Sequence, residues 1–569
     1  MLAKKLQVEV AKVVKKHWQI ESDQVTIDIP KEDWQGDFTS NIALKVSARW
    51  GVPSAQVADI LVGELVQNKW LRRYFSKVAT AGPGFVNFFI SADNVYKQAK
   101  ELTSKTKFND FRSKKIVIEY SSPNIAKPMH VGHLRSTIIG QALANIYQVL
   151  GAKVITLNYL GDWGTQFGKL VVAWDKWGKK AALNKNPIEE MLRVYVLFHE
   201  QAKEDLSLEK EAQDTFKKLE SGNAKIRALW KTFRQYSIKE FDELYSRLNI
   251  SFNKIEGESF YEKSLMPILK DLVAKDLLVQ NQDGSIVAML DEAKLSPLLV
   301  QKSDGASLYA TRDLAALRAR VKTYAPYKMI YVVANQQSLY FEQLFALATL
   351  AGYQGKTQLE HVKFGLVLGE EGKKMATREG TLIKLDEVLN KSVDLAWRIV
   401  EKKNQDLSSS DKAQIAEAVG VGAVKYNDLS QNRLTDITFN WQKMLSVEGN
   451  SGPYLQYTYV RLKSILKKAG KFKHKKFNFK KIAEGDLTLM RKIIQYHDAL
   501  LKSAQENGPH LLALYLYQLA EAVNSYYHDH PVLKADEPER SLRLELVTMS
   551  ADILKQGMNT LGLQVVERM

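Results

Sequence analysis

"KIVIEYSSPNIAKPMHVGHLRSTIIG" runs from Lys115 to Gly140 and changes character twice. Ile116–Tyr120 is a short apolar run of the kind that forms a strand buried on both faces. From Leu134 to Leu150, Ile138, Ile139, Leu143, Ile146 and Leu150 fall on one side of a helix. "AKVITLNYLG" (Ala152–Gly161) reads as a second strand. Strand, helix and strand in succession make a βαβ unit, hence a parallel sheet with a right-handed crossover. The polar stretch between strand and helix then lies at a strand's carboxyl end, where open α/β sheets bind ligands. A helix starting near His130 is expected to offer free backbone N–H groups and its positive dipole end there. His130 and His133 share the first helical turn and can donate to anionic oxygens. Gly132 between them removes a side chain, letting a flat group approach the backbone. Taken alone, the two histidines also fit a capping or core pair.

The alternation stops over residues 173–297, which read as a mostly helical insertion. It resumes with "LLVQKS" (298–303), a helix from Asp313, "MIYVVA" (329–334), a helix from Tyr340 and "VKFGLVL" (362–368). The expected fold is a multidomain α/β protein. A Rossmann-type, doubly wound catalytic domain spans 110–403, and an α+β domain spans 1–109. An all-helical domain spans 404–569, with helices from near Asp411, Pro453, Leu487, Pro509 and Pro538. In the first domain, Leu6, Val10, Val13 and Val14 mark a packed helix rather than a targeting segment. "VTIDIP" reads as a strand there, "GDFTSNIALKVSARWG" as a helix from Thr39, and "AGPGFVNFFI" as a turn and strand.

Of the 569 residues, 45% are hydrophobic and 25% charged, the balance of a soluble globular chain. No apolar run approaches membrane-spanning length. The net charge of +17 favours a polyanionic partner, nucleic acid first. There are no cysteines, which excludes disulfides, thiolate catalysis and Cys-liganded zinc. A second basic cluster, "GEEGKKMATREGTLIKLDEV" (369–388), brackets Lys373, Lys374 and Arg378 with glycines and suits a lid over triphosphate, though such a turn is as readily a solvated loop.

Together these strings resemble the class I aminoacyl-tRNA synthetases. "HVGH" (His130–His133) is similar to the first ATP signature and "KMATR" (Lys374–Arg378) to the second. The longer strings "NYLGDWGTQFG", "LYATRDLAAL", "EGNSGPYLQYTYVRLKSIL" and "GDFTSNIAL" resemble the arginyl-tRNA synthetase family in particular, over essentially the whole chain. The resemblance implies that arginine attacks Mg-ATP to give arginyl-adenylate and is then passed to the terminal 2′-hydroxyl of tRNA-Arg. Mg²⁺ arrives with ATP, and no protein-bound metal is expected.

The resemblance also implies roles for residues. ATP falls to Lys127, His130, Gly132, His133, Lys374 and Met375. Of these, Lys127, His130, His133 and Lys374 are the catalytic set. Arginine falls to Glu119, Ser121, Asn124, His133, Tyr309, Asp313 and Gln337, because a guanidinium is best met by planar acceptors. Thr377 stands where the general signature has a second lysine, and Lys127 is the expected stand-in. Ala376 replaces a common serine, and "ANQQ" (334–337) departs from a usual acidic form. For tRNA, the lysine-rich stretch 467–481 supplies Lys467, Lys468 and Lys471, with Phe472, Phe477 and Phe479 interleaved as possible stacking platforms. "NSYYHDHPVL" (524–533) resembles the anticodon-domain signature and adds Tyr526 and Tyr527. "GDFTSN" is assigned to the tRNA elbow by the same analogy. A cytoplasmic monomer is the default expectation. The alternatives are another class I synthetase and a non-catalytic tRNA-binding relative.

Overall fold

Ile116, Val117 and Ile118 are fully buried, as an apolar strand covered on both faces requires. The computed structural model describes residues 2–30, 35–102, 105–303, 309–369 and 383–569. Its residues divide into two compact units. One comprises 1–106, 461–497 and 518–556, the other 107–460, 498–517 and 557–569.

In the first unit, three strands, β1 (Phe38–Ser40), β2 (Phe75–Ala81) and β3 (Phe85–Ile90), form an antiparallel sheet in the order β1-β3-β2. The helix Leu2–Trp18 buries Leu6, Val10 and Val14. Two expectations change here. Thr39 belongs to β1, not to a helix: its hydroxyl donates to Asn87 at 2.7 Å, and the helix starts only at Ile42. "VTIDIP" contributes a single bridge, Asp28 to Thr39, rather than a strand.

The second unit is built on a five-stranded sheet. Its strands are β4 (Lys115–Glu119), β5 (Lys153–Leu160), β6 (Lys254–Gly257), β10 (Lys328–Ala334) and β11 (Gln358–Phe364). The order is β11-β10-β4-β5-β6 and every pairing is parallel. The chain leaves β4 in one direction through β5 and β6, then returns to β4's other side as β10. The switch point therefore lies between β4 and β10, where a ligand crevice opens. The helix Val131–Val149 links β4 to β5, and Ser338–Leu350 links β10 to β11.

Two sequence expectations are corrected. β6 sits inside the stretch read as insertion, because the helices from Thr165 to Arg247 end by returning the chain to the sheet edge. "LLVQKS" is not a sheet strand: β7 (Leu278–Gln280), β8 (Ile286–Ala288) and β9 (Leu298–Gln301) form a separate antiparallel sheet. Leu298 and Val300 are buried while Leu299 is 41% exposed. That alternation belongs to a one-faced antiparallel strand, not a doubly covered parallel one.

Candidate active site

The loop after β4 carries its chemistry on strained backbone. Ser121, Ser122 and Ala126 have φ of 72°, 50° and 63°, left-handed values that cost energy for side-chain-bearing residues and gather at functional sites. Gly161, at the end of β5, lies under Asn124. A Cβ there would stand 1.9 Å from Asn124 Oδ1, so only glycine permits this approach.

A cavity of about 270 Å³ opens at the switch point. Its wall includes Glu119, Ser122 and Asn124 from the β4 end, Tyr159 and Gly161 from β5, and Glu258 just beyond β6. Tyr309, Asp313 and Arg320 come from the helix Tyr309–Tyr324, and Val333, Gln337, Tyr340 and Phe341 from the β10 end. Of the residues expected to meet arginine, Glu119, Asn124, Tyr309, Asp313 and Gln337 are brought together here. Ser121 is not at the wall: its hydroxyl is buried between Tyr245 and Thr137, each at 2.8 Å, and Ser122 takes the lining position. His133 is likewise absent from the lining. Asp313 does not begin its helix but lies one turn inside it.

The electrostatics of this cavity are its main feature. Glu119 is paired with Arg320, whose guanidinium also lies 4.8 Å over Tyr159 and 5.7 Å over Tyr261. Burial raises the Glu119 carboxyl and Arg320 opposes that rise. Asp313 accepts from the Tyr340 hydroxyl, and burial raises it above the usual carboxylate range. Glu258 is 6% exposed and pushed up to about 8 by burial, with Arg312 opposing and Asp313 and Asp162 reinforcing. Arg312 Nη1 is 3.5 Å from Glu258 Oε2, yet that oxygen has no hydrogen bond among the described residues. Three carboxyls, Glu119, Glu258 and Asp313, and one guanidinium, Arg320, line the cavity, so carboxyls outnumber cations there.

Glu258 was not singled out from the sequence. β6 is four residues long, pairs on one side only and shows no clear alternation, so nothing marked the carboxylate beyond it as lying at a sheet end. The available signal was a glutamate directly after a glycine in "IEGES".

The signature histidines interlock. His133 Nδ1 accepts the His130 amide at 3.1 Å and His130 Nδ1 accepts the Gly132 amide at 3.1 Å, with ring centroids 3.9 Å apart. Each Nδ1 acts as acceptor, so each ring carries its proton on Nε2. Burial, then His130, pushes His133 down to about 3, leaving it a neutral donor. The helix start is not open as expected. The amide of Val131 donates to Ile383 O at 3.2 Å, that of Gly132 to His130, and that of His133 to His130 O at 2.8 Å. The amides of Val131, Gly132 and His133 are therefore already engaged within the protein. Gly132 serves these rings, not a flat ligand alone: a Cβ would stand 2.8 Å from His130 Cε1.

Lys127 is half-buried, with Nζ 4.7 Å from the Tyr195 ring centroid, and desolvation lowers its pKa. Among the described residues it has no carboxylate partner. Lys374, Met375, Ala376, Thr377 and Arg378 lie outside the described residues. Among the described residues no group of three or more His, Asp or Glu could hold a metal, and no helix is long and apolar enough to cross a membrane.

The residues expected to meet tRNA separate. Lys467, Lys468 and Lys471 are exposed. Tyr526 is not available for stacking on a base: its hydroxyl donates to buried Asp486 at 2.6 Å and its ring stacks on His530 at 4.7 Å. Tyr527 is half-exposed, with Arg461 5.1 Å from its ring. Phe477 is buried, and Phe479 packs 4.9 Å from Tyr96, so neither is a free platform. In "GDFTSN", the Asp37 carboxylate accepts from the Ile90 amide at 2.7 Å and from Arg491 Nε at 3.0 Å, which is a structural use.

The chain is similar to known proteins over its whole length. Residues 97–441 match the family described as class I (R) tRNA synthetases, catalytic domain. Residues 455–569 match the DALR anticodon binding domain, and residues 2–90 the arginyl tRNA synthetase N-terminal domain. The arginine–tRNA ligase of Halothermothrix orenii is 40% identical over 557 residues, 97% of this chain and 96% of the relative. That of Clostridium botulinum (strain Okra) is 39% identical over 98% of this chain and 99% of the relative. The crystal structure of Plasmodium falciparum arginyl-tRNA synthetase superposes with a TM-score of 0.85 at 26% identity, covering 100% of this chain and 99% of that one. The Thermus thermophilus arginyl-tRNA synthetase shares the fold, with a TM-score of 0.85 at 24% identity over all of both chains. With its catalytic, N-terminal and anticodon-binding regions all matched, the chain belongs to the class I arginyl-tRNA synthetase family.

Proposed function

We propose that the chain is an arginine–tRNA ligase, and that the cavity at the switch point holds the amino acid. The observation that carries this is the surplus of carboxyls over guanidiniums in the cavity wall. Free arginine brings a guanidinium and an ammonium, and a cavity lined by three carboxyls against the one guanidinium of Arg320 offers acceptors to both. Asp313 and Glu258 face the substrate guanidinium, while Tyr309 and Gln337 stand at the rim. Glu119 and Asn124 serve the α-ammonium end.

ATP, with its Mg²⁺, binds beside the histidines. A carboxylate oxygen of arginine attacks the α-phosphorus, and the bond to pyrophosphate breaks. Neutral His133 and its neighbour His130 donate Nε2–H to the phosphates, with Lys127 and Lys374 supplying cationic charge and Gly132 and Met375 lying alongside. No protein nucleophile is needed, so positioning and charge stabilisation carry the step. The terminal 2′-hydroxyl of tRNA-Arg then attacks the arginyl carbonyl and AMP leaves. Exposed Lys467, Lys468, Lys471 and Tyr527 are the tRNA contacts this reading retains. The working form is a cytoplasmic monomer with catalytic, N-terminal and helical domains near 110–403, 1–109 and 404–569.

The test is charging of bulk tRNA with each amino acid in turn. Arginine alone should give aminoacyl-tRNA. Binding of tRNA with no charging by any amino acid would sink the enzyme reading. Within it, Lys127→Ala with normal adenylate formation refutes the role of Lys127 at the phosphates.

A further inference from the structure

Arg135, two residues after the second signature histidine, is fully buried. A guanidinium denied water must be met by protein acceptors. Its Nε donates to both oxygens of buried Asp428 at 3.2 and 3.1 Å. Its Nη1 reaches Thr435 O at 2.9 Å and Leu366 O at 3.4 Å, and Nη2 reaches Arg433 O at 3.3 Å.

These acceptors form one small construction. Gly365 N donates to Arg433 O at 2.9 Å, Leu366 N to Asp436 Oδ1 at 2.6 Å, and Ile437 N to Leu366 O at 2.9 Å. Phe439 N donates to Leu368 O at 3.2 Å. Segment 433–439 therefore fixes residues 365–368, of which Val367–Leu368 is a short strand paired with Ile437–Thr438, and these lead in sequence toward the second signature. On that signature's far side, Val131 N donates to Ile383 O at 3.2 Å and Leu385 N to Met129 O at 2.9 Å. Both flanks of the second signature are thus tied to the start of the helix bearing the first. On one flank the tie is a direct backbone one, and on the other it runs through the Arg135 guanidinium.

We propose that Arg135 is a positioning residue for ATP. It fixes the helix that carries His130 and His133 against residues 366–368 and 433–435, and so holds those two imidazoles in the orientation that meets the nucleotide. The proposal rests on the reading above that both signatures hold ATP. Lysine does not substitute, because one ammonium cannot span a carboxylate and three divergent carbonyls. Among the described residues Arg135 has no bond to a side chain of the arginine cavity.

The experiment is steady-state pyrophosphate exchange with the full-length Arg135→Lys protein, with tRNA present. Arginine affinity is measured calorimetrically and folding by thermal melting. The expected result is a loss of about 10²-fold in kcat/KM for ATP with arginine affinity unchanged. A folded Arg135→Lys protein with normal ATP kinetics overturns the proposal. Parallel losses toward ATP and arginine also overturn it, since they mark general loosening. If Arg135→Lys does not fold, Asp428→Asn gives the same readout, because it keeps the side chain's shape but removes its charge. Lys374→Ala separates the two levels: normal exchange in that variant sinks the ATP reading itself. Lost exchange there beside normal Arg135→Lys kinetics sinks only the positioning role.

Discussion

Arginine binding at neutral pH should release a proton from Glu258. In the free protein burial holds this carboxyl up to about 8, so it is largely protonated at neutrality. A guanidinium in the cavity favours the ionised form, and the proton leaves as the ligand enters. Below about pH 8 each unit costs about 1.4 kcal/mol of binding. Between about pH 8 and pH 6 the loss is about 2 kcal/mol, or roughly 50-fold in affinity. The same linkage acts on the free protein. A carboxyl raised on folding contributes stability below its unfolded value that is lost as pH rises through about 8. Arginine should therefore raise the Tm more at the alkaline end. The assay is titration calorimetry in buffers of different ionisation enthalpy, whose slope counts released protons. Glu258→Gln should abolish both the proton release and the pH slope. A flat affinity between about pH 6 and pH 8 with no proton release would refute the placement of the guanidinium at this carboxyl.

Asp313→Asn should raise the KM for arginine by about 10²- to 10³-fold, as removal of one partner of a buried charge pair does. The melting temperature of the free variant should be unchanged or higher, because burial already disfavours the ionised carboxyl. Gly132→Ala should push the His130 ring, 2.8 Å from the new Cβ, and lower kcat by about 10- to 100-fold while calorimetric arginine affinity holds. Tyr526→Phe should cost about 2 kcal/mol of stability in denaturant titration, through the lost bond to Asp486, and leave the KM for tRNA unaltered. A raised KM for tRNA in that variant would return Tyr526 to the RNA surface.

Much of this was legible in the chain itself. Period-two and period-3.6 patterns located β4, β5, β10 and the helix after the histidines, because parallel strands buried on both faces must be apolar runs. The signature strings carried the family. Short edge elements were not legible: β1 and β6 stand at the ends of their sheets and their residues resemble helix or loop. β9 resembled a sheet strand until its one-sided burial placed it elsewhere.

What the sequence determined alone is local: where backbone turns, where apolar faces repeat, and which side chains with useful chemistry stand at strand ends. Only the tertiary structure decided which of those ends meet. Glu119 and Arg320 are 201 residues apart and form one ion pair. Glu258 becomes a cavity wall only because β6 returns to the sheet. It also decided which polar groups are already spent, such as Ser121 on Tyr245, Tyr526 on Asp486 and the helix amides on His130 and Ile383. A residue's type fixes what it can bind, but whether that capacity is left for a ligand depends on neighbours the chain brings from far away.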